Sequence, residues 1–180
     1  RALGRIQDSL AMSQKAAEMA ERAGDPRHLA PALTRLGQSH MDLNAPQRAI
    51  PYFEKAAQYA HEASNPTAEA GACVWLSKAY RRLGKPEPAL ESTKRAAAIL
   101  ESAILRMRGE AGRLGPKKER MLWNMERAYA NALMDLGMNH HALHQWEPAR
   151  TALQKALDAA KRTSASHLMA QAHLGLGRMA

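Results

Sequence analysis

The sequence is short of the residues that build sheets, bridges and membrane spans. Aromatic residues fill only 4% of its 180 positions, and phenylalanine occurs once. A β-sandwich needs short alternating runs of valine, isoleucine, threonine and aromatics. No segment here alternates convincingly with period two, so essentially no strand is expected. Cys73 is the only cysteine; an internal disulfide is impossible, which fits a reducing compartment without establishing one. No apolar run approaches the roughly 18 to 20 residues of a membrane-spanning helix. A glycine-rich phosphate loop, a Gly-x-Ser-x-Gly elbow and a metalloprotease helix are also missing, and carboxylates are few and scattered, so no catalysis is expected.

What is present is small, apolar and periodic. Hydrophobic residues make up 46% of the chain, with alanine supplying much of that share. An alanine-rich core suits helices that approach one another closely. A Leu-small step returns at Leu36-Gly37, Leu76-Ser77, Leu136-Gly137 and Leu176-Gly177, with spacings of 40, 60 and 40. Ala49, Ala89 and Ala149 follow the first three leucines by thirteen positions, and Ala56, Ala96 and Ala156 come seven later. A fixed period of this size signifies stacked helix pairs, an architecture commonly used to bind other proteins.

Proline and glycine mark the helix ends. Asp25-Pro26 and Asn65-Pro66 read as an N-cap followed by proline at the first helical position, where the missing N–H costs nothing. Ala45-Pro46 and Lys85-Pro86 start two more helices, and Gly24 and Gly84 sit at helix stops. The predicted helices are 2–23, 26–43, 46–63, 66–83, 86–112, 116–143, 147–162 and 165–180. In the fourth, Ala70, Cys73, Leu76, Ser77 and Tyr80 form one apolar stripe. The small residues Gly37, Ser77, Gly137 and Gly177 let the next helix cross at close range, with Ala49, Ala89 and Ala149 as the expected contacts.

These positions resemble the tetratricopeptide repeat family. One repeat reads Leu33, Leu36-Gly37, His40, Asn44, Ala49, Phe53, Ala56. The next reads Cys73, Leu76-Ser77, Tyr80, Gly84, Ala89, Thr93, Ala96. A third reads Leu133, Leu136-Gly137, His140, His144, Ala149, Leu153, Ala156-Leu157. Gly4, Ser9-Leu10, Ser13 and Ala16 stand in phase at the start. The expected fold is therefore all-α, a right-handed α-solenoid of antiparallel helix pairs forming a single array over 1–180. Its parts are a partial repeat at 1–25, repeats at 26–65, 66–112 and 116–163, and a partial repeat at 165–180. Because the chain starts and stops inside repeats, it is read as a piece of a longer protein. A unit of 40 residues exceeds the common family period of 34 and is similar to the long-helix subclass.

The sixty-residue interval adds about twenty residues near Glu101–Arg120. We expect a longer helical hairpin near 99–125 rather than an inserted short helix, because Ile99, Leu100, Ile104, Leu105 and Met107 continue the apolar pattern. Met121, Leu122, Trp123 and Met125 answer on the return, and Gly112-Arg113-Leu114-Gly115-Pro116 supplies the turn. Charge concentrates in this part of the chain. The formal net charge is +9, and from Lys78 to Arg120 twelve Lys/Arg face five Asp/Glu. Arg106, Arg108, Arg113, Lys117, Lys118 and Arg120 cluster at the hairpin end. They read either as a solvated, solubilising helix end or as a basic spur for an acidic partner. Nucleic acid is disfavoured, because no aromatic platform accompanies the charge.

The resemblance implies that the first helices of successive repeats line a concave groove. It assigns to that groove Gln38 and Met41, then Val74, Lys78, Arg81 and Arg82, then Met134, Met138 and His141, with Arg178 continuing the row. Such a groove would be basic in its middle and methionine-rich on one side, suited to an acidic, partly apolar peptide. Chaperone-binding members clamp a terminal carboxylate with asparagines; the matching residues here are Gln38, Lys78 and Met138, so that clamp is not expected. His140 and His144, four apart, could share a helix face as metal ligands do, but no Cys or carboxylate completes a shell. No metal and no cofactor are expected, and Cys73 reads as a buried small residue. The expected function is a non-catalytic interaction scaffold or adaptor with a protein or peptide partner. The alternative is a sensor or regulatory region of a larger enzyme or transcription regulator. The expected setting is cytoplasmic, with cytoskeletal and ciliary assembly as open possibilities.

Overall fold

The computed structural model describes residues 2–109 and 115–177, with side chains described from residue 8 onward except at Ser9. Expectations resting on Gly112, Arg113, Leu114 and Arg178 lie outside the described residues. Among the described residues there are eight helices and no strand: α1 Ala2–Ala23, α2 Pro26–Asp42, α3 Pro46–Glu62, α4 Pro66–Arg82, α5 Pro86–Gly109, α6 Pro116–Ala142, α7 Trp146–Arg162 and α8 Ser166–Gly177. Five of them begin at a proline, whose fixed φ is ready for a helix and whose absent N–H would have had no partner there. The Asp25 side chain accepts a hydrogen bond from the Arg27 N–H at 2.9 Å. Hydrogen bonding to the Arg27 side chain and backbone holds the Asp25 carboxyl down at about 2. Asn65 caps α4 in the same manner, accepting from the Ala68 N–H at 3.1 Å.

The stops share one design. A residue with positive φ follows the helix at Gly24, Asn44, Ser64, Gly84, His144 and Ser164. After α2 the Ala45 N–H reaches the His40 carbonyl at 2.9 Å, while the Asn44 N–H reaches that of Met41 at 3.0 Å. The same pair of bonds recurs at Ser64–Asn65, Gly84–Lys85, His144–Gln145 and Ser164–Ala165. This is the left-handed closure that satisfies the last carbonyls of a helix.

The helices group into two compact units, residues 1–85 and 86–180. In the first, α1, α2, α3 and α4 pack in sequential pairs and α2 also touches α4. Its core includes Met41, Ala49, Phe53, Leu76 and Ala79. Gly37 is why α2 and α3 come so close: a Cβ there would lie 2.5 Å from the Phe53 ring. In the second unit, α5 through α8 pack in sequence and α6 also touches α8. A Cβ on Gly137 would lie 2.7 Å from Leu153 Cγ. The close contact of the small residue is therefore the side chain four positions beyond Ala49 or Ala149. The alanines, fully buried, leave room for it.

The lengthened hairpin is present. Helices α5 and α6 have 24 and 27 residues, against 17 in each of α2, α3, α4 and α7. No inserted helix occurs among the described residues. Leu100, Ala103, Ile104, Met125, Tyr129 and Ala130 are buried along this part of the chain. Asn139 on α6 donates to the Ala89 carbonyl at 3.1 Å and to Thr93 Oγ1 at 3.0 Å, tying the other end of the hairpin to α5.

Candidate interaction surfaces

In the first unit, α2 and α4 present the residues assigned to a binding face. Val74, Lys78 and Arg81 are half-buried on α4, Arg82 is exposed, and Gln38 on α2 is half-buried. Their spacing of four, three and one places the α4 residues on one stripe. Trp75 sits at the base of this stripe, stacked on Phe53 with ring centroids 5.9 Å apart. The Lys78 ammonium lies 4.8 Å from the Trp75 ring centroid, a cation–π contact. Arg82 donates to the Met41 carbonyl at 2.6 Å, so part of its hydrogen-bonding capacity braces α4 against α2. Met41 departs from the expectation: it is 2% exposed and belongs to the core. The helical face of α2 turns this position inward toward Phe53, and its thioether fills space instead of greeting a ligand.

In the second unit, Met138 and His141 are exposed on α6, but Met134 is buried. As in α2, a position that the resemblance assigned to the groove is buried in the packing instead. The histidines do not form the helix-face pair that their spacing suggested. His144 lies beyond the end of α6 with φ 56°. His140 Nδ1 is 2.6 Å from Gln145 Oε1. His141 and His144 both meet the Trp146 ring edge-on, at centroid distances of 5.0 and 5.4 Å. Trp146 is the first residue of α7, so this aromatic cluster clasps the α6–α7 turn. Among the described residues no group of three His, Cys, Asp or Glu is arranged to hold a metal, and Cys73 is fully buried.

On the hairpin, Arg106, Arg108, Lys117, Lys118 and Arg120 are exposed; Arg113 lies outside the described residues. Arg108 is ion-paired with the buried Glu126, which Arg162 of α7 also approaches at 3.9 Å. Trp123 is 42% exposed with the Arg127 guanidinium 5.4 Å from its ring centroid.

One surface feature leaves no mark in the repeat pattern. Among the described residues, α5 and α7 flank α6 without packing on each other, leaving an open cleft of about 560 Å³ and an adjoining one of about 250 Å³. Glu101, Tyr129 and Lys155 line both. The Tyr129 hydroxyl donates to Glu101 Oε1 at 3.1 Å. Burial, then the neighbouring Glu101 charge, pushes the Tyr129 phenol up to about 12. A tyrosine in the middle of an otherwise apolar stripe was the available signal, since a buried phenol needs a polar partner.

Comparison with known proteins agrees with the repeat architecture. Models described as tetratricopeptide repeat match residues 30–60 and 130–167. Comparison with curated proteins gives no match. Among solved structures, BtubC (BKLC) from P. vanneervenii is similar with a TM-score of 0.73 and 20% identity over 97% of this chain. The chain spans 65% of that protein's length. A putative kinesin light chain from Podosopora anserina with nearly identical TPR-like repeats has a TM-score of 0.62 and 14% identity, covering 98% of this chain and 82% of its own. A single-residue variant of that protein gives 0.64 at 14% identity, covering 98% of this chain and 81% of its own. The chain carries tetratricopeptide repeats, a fold that generally serves as a non-catalytic scaffold for protein partners.

Proposed function

We propose that this tetratricopeptide-repeat chain is a non-catalytic scaffold that takes up an acidic, partly apolar segment of a protein partner on the α2–α4 face. One observation carries the reading: Lys78, Arg81 and Arg82 share a stripe of α4 with Trp75 and Val74. Trp75 and Val74 offer an apolar floor, and the cations form its rim. A carboxylate arriving there gains charge-assisted hydrogen bonds, and the aromatic floor gives the apolar part of the segment a surface to cover. Gln38, half-buried on α2, adds an amide that can read the backbone of an extended segment. Met138 and His141 offer a separate, smaller exposed surface on α6.

The test is a displayed-peptide selection against the full chain, followed by charge reversal. Lys78→Glu with Arg81→Glu should abolish capture of the selected acidic peptides while circular dichroism keeps its helical signal. Arg82 is left in place because it braces the Met41 carbonyl. Selection of acidic peptides whose binding survives the double variant refutes the α2–α4 assignment.

A further inference from the structure

We propose that the cleft over α6, between α5 and α7, holds an amphipathic helix of a second protein, one whose apolar stripe carries a base along one flank and an acid along the other. The floor of the cleft is a stripe of α6. Tyr129, Leu133, Leu136 and His140 line it, and at about 100° per residue they fall within about 60° of one another. One wall is α5, from Lys94 through Ala98 and Glu101 to Arg108; the other is α7, from Pro148 through Thr151 and Lys155 to Arg162. Each wall keeps to one side of its helix. The larger and the smaller cleft share Glu101, Tyr129 and Lys155, so they form one continuous trough. From Lys94 to Arg108 the α5 wall runs for about 21 Å, close to four helical turns.

The lining selects a helix over an extended segment. An extended segment brings unpaired backbone N–H and C=O groups and needs side-chain amides to meet them. No asparagine or glutamine lines either part of the trough, and the backbone groups of its three walls are already bonded within their own helices. An incoming helix satisfies its own backbone and needs only an apolar floor with room above it. Ala97, Ala98 and Ala152 supply that room, because small side chains let another helix approach closely. Apolar groups of the trough still meet water. Ala98 and Pro148 are exposed, Leu136 is half-buried, and Leu105 is 64% exposed toward the end marked by Arg108.

The charges set the flanks of that helix. Glu101 on the α5 wall and Lys155 on the α7 wall are both exposed and face the middle of the trough from opposite sides. Among the described residues neither belongs to an ion pair; Glu101 accepts only the Tyr129 hydroxyl, at 3.1 Å. The other charges of the lining are met from within the chain. Lys94 pairs with Glu91 at 2.8 Å, Arg108 and Arg162 turn to Glu126, and Asp158 lies 3.9 Å from Lys161. Glu147 stands in the first turn of α7, where the helix dipole favours an acid. The acid and the base left for a partner therefore stand on opposite walls. A helix lying between them meets one on each side, whichever way it points.

The experiment is selection from a displayed library of helices of about 18 residues, or five turns, each with a leucine–alanine stripe and with Glu, Lys or Ser along its two flanks. Selection is against the full chain, with counter-selection against Thr151→Trp. That variant fills the trough from an exposed position, and circular dichroism should keep its helical signal. Helices with one basic and one acidic flank are expected from the wild type. Glu101→Lys makes both walls basic and should select acid on both flanks; Lys155→Glu should select base on both. The mixed helix should bind either variant about fivefold more weakly, the scale of an exposed ion pair, and should lose binding to Thr151→Trp. Lys78→Glu with Arg81→Glu should leave its binding unchanged, separating this trough from the α2–α4 face. No enrichment over the counter-selection, or flank preferences that stay the same in Glu101→Lys and Lys155→Glu, overturn the proposal. So does a concentration-dependent dimer of the chain alone that Thr151→Trp abolishes, which would assign the trough to a second copy.

Discussion

Gly37 shows how much a single hydrogen atom decides in this protein. Its α-carbon stands where a methyl group would press on three atoms of the fully buried Phe53 ring, the nearest at 2.5 Å. In a helix interior alanine is ordinarily better than glycine by about 0.5–1 kcal/mol, whereas forced overpacking costs about 1–3 kcal/mol. Packing should win, and Gly37→Ala should lower stability by about 1–2 kcal/mol in urea melts. Gly71, with nothing within 4 Å of the point where a methyl group would stand, should behave oppositely, Gly71→Ala gaining about 0.5–1 kcal/mol. Tyr129 makes a pH prediction of the same local kind. Its phenol is held up to about 12 in the fold, against about 10 in an unfolded chain. The unfolded state thus releases this proton first. Tyr129 contributes its stability fully below about pH 10 and loses it progressively as pH rises toward about 12. Tyr129→Phe should flatten that part of the pH–stability curve, measured as urea midpoints at mildly and strongly alkaline pH. At this scale the sequence disclosed which positions must be small, because smallness repeats. It did not disclose Phe53 and Leu153 as the groups that need the space, because a large residue and a medium one stand at equivalent positions.

The helices themselves were largely legible. Proline at the first position and a repeating apolar stripe placed the described starts and ends within a few residues, and the apolar pattern through Ile104 foretold the extended hairpin. The stops were half legible. Gly24 and Gly84 announce a left-handed turn, but Asn44, Ser64, His144 and Ser164 adopt the same geometry without the residue that usually advertises it. Spacing alone accordingly puts His144 on a helix face that it does not occupy. An L side chain with positive φ bears a steric cost that glycine escapes. Ser64→Gly should raise stability by about 0.5–1 kcal/mol, and Asn44→Gly by less, since asparagine tolerates this region better. Thermal midpoints compared with wild type would check both. The cleft between α5 and α7 was not legible, because periodicity reveals which face of a helix is apolar and says nothing of how far apart two nonadjacent helices stand.

For the whole chain, the repeats dictate neighbour-to-neighbour packing, and the helices sort into two compact units. Stability in such an architecture is close to a sum of local terms. A lesion in one unit should therefore register mainly there. In hydrogen exchange on the full chain, Gly37→Ala should speed exchange across α2 and α3 while the amides of α6 and α7 keep most of their protection. Uniform acceleration along the chain would show that the units melt together. The candidate faces were legible only as positions that the family resemblance assigns: it named Lys78, Arg81 and Arg82, which lie at the surface of α4 or half-buried there, but also Met41 and Met134, which are buried. The uniform helix closures carry a last implication. Gly24 and Ser64 leave the backbone in the same left-handed state, and Asp25 and Asn65 each open the next helix with a side-chain cap. Removing residues 25–64 would join Gly24 to Asn65 across a junction already of the native type. At this one junction the length of the protein can thus change by forty residues with the joint intact, giving protein engineers and natural recombination a ready-made place to cut.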